Sequence, residues 1–124
     1  VFVPHQPMMR SASTGQLVPK INLQADAGEF GDLVFMLDWP EIRDMNLDLI
    51  YEKLAVCLAD YNDSDYIVCT GNPVAMSIAV MIAGDMNQGR VRLLYWNRGT
   101  NPRGGYEEVV ADLNKAEKFL PYRN

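Results

Sequence analysis

The chain has 124 residues, 48% of them hydrophobic and 22% charged, with a formal net charge of −5. That length suits one domain, 1–124, able to bury a core without disulfides or metal, and that balance excludes global disorder. No apolar run reaches the ~20 residues of a membrane-spanning helix.

The start, Val1-Phe2-Val3-Pro4, lacks the basic flank and long apolar region of a secretory leader. It reads as a short β-rich beginning. Residues 5–15 carry little pattern and hold Pro7, Ser11, Ser13 and Gly15, which favour loop. Residues 17–23 read as a strand, with Leu17, Pro19, Ile21 and Leu23 on one face. Pro19 cannot donate to a ladder, which places that strand at a sheet edge.

The run GDLVFML (31–37), apolar apart from Asp32 and bounded by turn residues, has the pattern of a buried strand. Residues 41–45 read as a polar connection. From Asn46 onward, Leu47, Ile50, Tyr51, Leu54, Leu58 and Tyr61 repeat at three- and four-residue steps and predict a helix with one apolar stripe. Asn62-Asp63-Ser64-Asp65 ends it with turn chemistry.

Residues 66–70 form the next predicted strand. Asn72 then reads as an N-cap and Pro73 as the first residue of a helix to Met86. That helix is apolar nearly all round and is expected to be covered on more than one side, by its own domain or by a second subunit. Gly89 suits a left-handed stop. Residues 90–96 read as a strand, 97–105 as a loop, 106–111 as a returning hairpin strand and 114–120 as a short helix.

Strand 31–37, helix 47–60, strand 66–70, helix 73–86 and strand 90–96 make a βαβαβ unit with three adjacent parallel strands. The remaining segments add antiparallel edge strands. The expected fold is a small α/β domain of two or three layers with a mixed sheet.

Two stretches invite a functional reading. The turn Thr70-Gly71-Asn72-Pro73 lies where a strand ends and a helix begins, the place at which α/β sheets hold ligands and helix N-termini hold anions. Thr70, Gly71, Asn72 and Val74 are the candidate anion-binding residues. The segment lacks the Gly-Lys-Ser/Thr end of a phosphate loop and the three glycines of a dinucleotide fingerprint, so turn and cap chemistry is the favoured explanation.

The second stretch interleaves arginines with aromatics. Arg90, Arg92, Trp96, Arg98 and Arg103 are candidates for single-stranded nucleic acid. Against this, the chain is acidic overall, and strand arginines also guard sheet edges. The charge is uneven: residues 1–85 carry four basic and twelve acidic side chains, and residues 86–124 carry seven and four.

His5 is the only histidine, so a His–Cys zinc set and a histidine-dependent triad both fail. Asp26, Glu29 and Asp32 match no calcium loop. No catalytic residue, metal or cofactor is nominated. Cys57 and Cys69 read as buried thiols, which suits a cytoplasmic setting.

The segments TGQLVPKINL (14–23), GDLVFML (31–37), DYIVCTGNPVAMSIAVMIA (65–83) and GRVRLLYWNR (89–98) together resemble a group of small proteins encoded by bacterial viruses. The resemblance implies a viral origin, a host-cytoplasm setting and a strand at 106–110. It implies no activity. Three expectations follow. One is a non-catalytic accessory protein acting by association with itself or with a host or viral partner. The second is a binder of single-stranded nucleic acid through residues 90–106. The third is a nucleotide or phosphate binder at the Thr70–Pro73 turn.

Overall fold

A computed structural model describes residues 1–99 and 104–121. In chain order it contains β1 (Phe2–His5), β2 (Met8–Arg10), β3 (Leu17–Pro19), α1 (Leu23–Ala27), β4 (Val34–Leu37), α2 (Trp39–Asp44), α3 (Leu47–Cys57), β5 (Ile67–Val68), α4 (Pro73–Met86), β6 (Arg90–Asn97) and β7 (Gly105–Asp112). A 3-10 segment, Leu113–Phe119, follows where a short helix was expected.

The main sheet runs β4-β1-β5-β6-β7. Its first four strands are parallel and β7 returns antiparallel to β6. The expected α/β mixed sheet is therefore present, with one change of order. The three strands of the βαβαβ unit are not all adjacent, because β1 lies between β4 and β5. An apolar tetrapeptide at the start of the chain becomes a central strand because both of its neighbours need a partner. Val3 and Pro4 are fully buried there.

Helices cover both faces. On one, Val3, Val68, Leu94 and Tyr106 pack with Leu23 and Ala27 of α1. On the other, Ile67 and Val91 pack with Ile50 and Leu54 of α3 and with Ala75, Ala79 and Ala83 of α4. Each fully buried large aliphatic side chain contributes about 1.5–3 kcal/mol relative to exposure. The winding thus reverses between β1 and β5: α1 connects β1 to β4 on one face, and α3 and α4 make the later crossovers on the other.

Local chemistry explains the element ends. Asn72 Oδ1 accepts from the amides of Val74 (2.9 Å) and Ala75 (3.2 Å), and Pro73 opens α4 as expected. Asn46 caps α3 in the same way through Leu49 N–H. Leu47 and Tyr51, read as part of the α3 stripe, face solvent, while Ile50, Leu54, Leu58 and Tyr61 are buried.

Three local expectations change. Residues 41–45 are not a plain connection: α2 spans most of them, with Pro40 in its first turn and Glu41 accepting from Asp38 N–H at 2.7 Å. Residues 17–23 are not one strand. The strand stops at Pro19, and Asn22 caps α1, so Leu23 reaches the core from a helix. Residues 8–10, expected as loop, pair with 17–19 in a separate two-stranded sheet.

The ladder between β1 and β5 is one pair long, Phe2↔Ile67. Phe2 N–H donates to Tyr66 O on the β5 side, while Val34 N–H donates to Val1 O on the β4 side. Alternation turns residue 4 toward β5, and Pro4 has no N–H to give. The Val68 carbonyl on that side accepts instead from Thr70 N–H at 2.9 Å, which bends the chain away. Gly71 then packs against the end of β1 at φ +84°; a Cβ there would lie 2.3 Å from His5 O.

Gly71→Ala therefore meets both a left-handed backbone and a backbone clash. We expect it to lower stability by at least ~1–3 kcal/mol in urea unfolding. Gly84→Ala, in the last turn of α4 with its nearest outside atom at 3.7 Å, should be neutral or stabilising by up to ~1 kcal/mol. Equal effects from the two would contradict the close packing of Gly71.

Candidate functional site

In doubly wound sheets, ligands lie beyond the carboxyl ends of the strands where the winding reverses. Here that place is the gap after β1 and β5, opened by Pro4. A hollow of about 390 Å³ occupies it, with His5, Lys20, Trp39, Ile42, Gly71 and Asn72 in its wall. A smaller lobe of about 130 Å³ shares His5 and Trp39 and adds Gln6 and Asp38. Each side chain arrives from a different element. His5 ends β1, Trp39 opens α2, Gly71 and Asn72 precede α4, and Lys20 follows β3. Lys20 N–H donates to Pro7 O at 2.8 Å, which ties the base of the β2–β3 hairpin over the mouth.

His5 is the unusual member. It is only 6% exposed, and neither ring nitrogen has a hydrogen-bond partner among the described residues. Its ring lies 6.3 Å from that of Trp39, tilted by 30°. Burial lowers the imidazole pKa and favours the neutral form. A buried polar group left unsatisfied costs about 1–3 kcal/mol, so its retention calls for an explanation.

The residues nominated from the turn have a different employment. Asn72 satisfies the Val74 and Ala75 amides itself. Thr70 shares a side-chain hydrogen bond with Tyr106. Gly71 provides the close approach to β1. They shape the wall of the hollow while the cap occupies the first amides of α4.

The arginine-rich stretch is likewise engaged. Arg90 pairs with Asp63 at 2.9 Å. Asn87 and Arg90 together hold the Asp63 carboxyl below its ordinary range. Arg92 pairs with Glu108 at 2.8 Å, donates to Asp63 O and to Tyr66 Oη, and lies 4.0 Å over the Tyr66 ring. Trp96 packs edge-on against Tyr106 across the hairpin, with centroids 5.1 Å apart. Arg98 is exposed; Arg103 lies outside the described residues. Arg90 and Arg92 thus staple β6 to β7 and to the turn before β5.

A third feature is larger. Because β7 returns by a hairpin, no crossover helix follows β6. Beside α4, a groove of about 670 Å³ remains, lined by Val80, Met81, Gly84, Val91, Ala111 and Leu113, with Asp85 and Asp112 also in its wall. Val109, two residues before Ala111 on the same face of β7, is also exposed. The α4 helix is covered by the sheet and by α3, while Val74, Ser77, Met81 and Asp85 form an open flank.

Among the described residues, no three metal-ligating side chains come together. Nor is any helix long and apolar enough to cross a membrane. Cys57 and Cys69 are free, in α3 and just after β5.

His5 supplies a direct test of this geometry. Its folded pKa lies below its ordinary value of about 6.5. The unfolded chain therefore takes up the proton first as pH falls. Stability from neutral burial is present above that value and is lost between it and the lower folded pKa. The melting temperature should fall from pH 7.5 to 5.5 in the wild type and change less in His5→Phe. Equal slopes would place His5 in solvent.

No curated protein and no solved structure matches the chain. A family model described as phage Pam3 gp32-like protein matches residues 1–113, in accord with the viral resemblance of the motifs. The chain belongs to the phage Pam3 gp32-like family.

Proposed function

We propose that the protein acts by association, and first with a second copy of itself, through the open face formed by α4, β6 and β7. The observation that carries this reading is the groove left where a crossover helix would otherwise lie. Sheets with parallel strands are normally covered on both faces, because their strands are apolar on both. Here Val91 and Ala111 floor a hollow that nothing among the described residues fills.

A second copy fits this face chemically. Met81, 74% exposed, stands at the rim, and Leu113 and Phe119 follow on the adjoining segment, so apolar projections lie near an apolar groove. An isologous contact uses one patch twice and needs that kind of self-complementarity. Charge acts in the same direction. The segment after β7 carries Lys115 and Lys118, and the first 85 residues are strongly acidic. Opposed copies would bring the basic end of each toward the acidic body of the other. The setting proposed is the host cytoplasm, supported by the two free thiols.

Sedimentation equilibrium tests the reading. The wild type should be a dimer at micromolar concentration. Met81→Asp would place a carboxylate in the contact and should weaken dimerisation by at least ~10-fold, while its exposed position leaves the fold intact. A wild-type monomer at high concentration, or a dimer indifferent to Met81→Asp, would remove this interface.

A further inference from the structure

The two ends of the main sheet are guarded differently. At one end, β7 carries Glu107, Glu108 and Asp112, and charge along an outer strand discourages pairing with other chains. At the other end, β4 reads Val34-Phe35-Met36-Leu37, with no charge, proline or glycine. Among the described residues it has no neighbour on its outer side. Val34 N–H donates inward to Val1 O, so the next residue, Phe35, turns its N–H and C=O outward. Val34 and Phe35 are 42% and 45% exposed, an apolar pair beside open main-chain groups.

The space beside this edge is shaped on both faces. Phe35 shares a hollow of about 380 Å³ with Ile21 and Leu23 at the start of α1, and Lys20 stands in its wall. Met36, one residue on and therefore on the opposite face, shares a hollow of about 420 Å³ with Leu49, Val56 and Cys57 of α3. Lys53, in that second wall, is paired with Glu41. Successive side chains of an added strand point to opposite faces, so one set meets each hollow.

Carboxylates bound the edge. Exposed Asp32 precedes β4 and exposed Asp38 follows it, and neither is in an ion pair among the described residues. A second copy paired antiparallel about Phe35 would set Asp32 opposite the partner's Asp38, and like charges opposed across a ladder repel. A strand with basic ends is attracted at both.

We propose that the outer edge of β4 takes an extended segment of another protein as an added strand, with an apolar middle and a lysine or arginine at each end. Main-chain hydrogen bonds to Phe35 hold it, the two hollows take its alternate side chains, and Asp32 and Asp38 select its ends. This edge lies at the opposite end of the sheet from β7, so the contact is separable from self-association through the α4–β7 face.

Fluorescence anisotropy tests this with a fluorescein-labelled peptide, Lys-Val-Ile-Val-Thr-Val-Lys, titrated with the wild-type protein. Binding should saturate at one peptide per chain. Replacing both peptide lysines by glutamate should weaken it by ~10-fold or more, and Asp32→Lys should reduce that preference. Val34→Lys and Phe35→Lys, each at an exposed edge position, should weaken binding by ~10-fold or more without lowering the melting temperature. A peptide N-methylated at its inner amides cannot complete the ladder and should not bind.

No binding at millimolar protein would overturn the proposal. So would binding indifferent to the N-methyl groups or to both lysine substitutions. Equal affinity for the glutamate-ended peptide would overturn the choice of a basic partner. Wild-type assemblies larger than a dimer that Phe35→Lys dissolves would assign the edge to a second copy instead.

Discussion

A missing N–H in the middle of the sheet shapes this protein. Pro4 sits in the interior strand β1, turned toward β5, where a ladder bond would otherwise continue. The Val68 carbonyl turns to Thr70 instead, and the two strands part. Since the winding reverses at the same place, no crossover covers the gap. Gly71 fills the close approach, and its conformation is available because it has no Cβ to meet His5 O. The rigid cap of α4, the hollow beside it and the burial of His5 all follow from that local break.

The opposite end of the sheet obeys a different constraint. Its last strand is delivered by a hairpin, and β6 and β7 pair along eight residues each, from Arg90↔Asp112 to Asn97↔Gly105. Charged and aromatic side chains fix the hairpin to the body. Arg90 and Arg92 reach the turn before β5, and Tyr61 Oη accepts from Arg92 N–H at 3.0 Å. The same hairpin omits a helix, so one flank of α4 and the adjoining strands remain open. Stapling and exposure are thus two consequences of one connection.

These two regions differ in character. The hollow at the carboxyl edge is walled by residues from four elements, among them His5, Trp39 and Gly71. The α4–β7 face has apolar surface and little polarity, suited to protein contact. The connection between them is short in structural terms: α4 begins at Asn72 in the wall of the hollow and ends beside the groove.

Much of this was legible in the chain itself. Helix α4 begins and ends where Asn72, Pro73 and Met86 predict, because capping and proline geometry are local. The α3 helix, the α/β class and the returning strand were equally readable from periodicity and turn residues. The Asp-Trp-Pro-Glu start of α2 carries a local capping signal that a reading of 41–45 as a polar connection leaves unused.

Tertiary structure decided the rest. A strand's place in the order depends on which distant strands need a partner, and no local pattern encodes that for Phe2–His5. Hence His5, in a stretch that reads as loop, becomes a buried group at the carboxyl edge of the sheet. The arginines that read as a nucleic-acid surface find Asp63 and Glu108, 27 and 16 residues away in sequence. Composition and periodicity determine which elements form; only their assembly in space decides which polar groups are matched and which are left over.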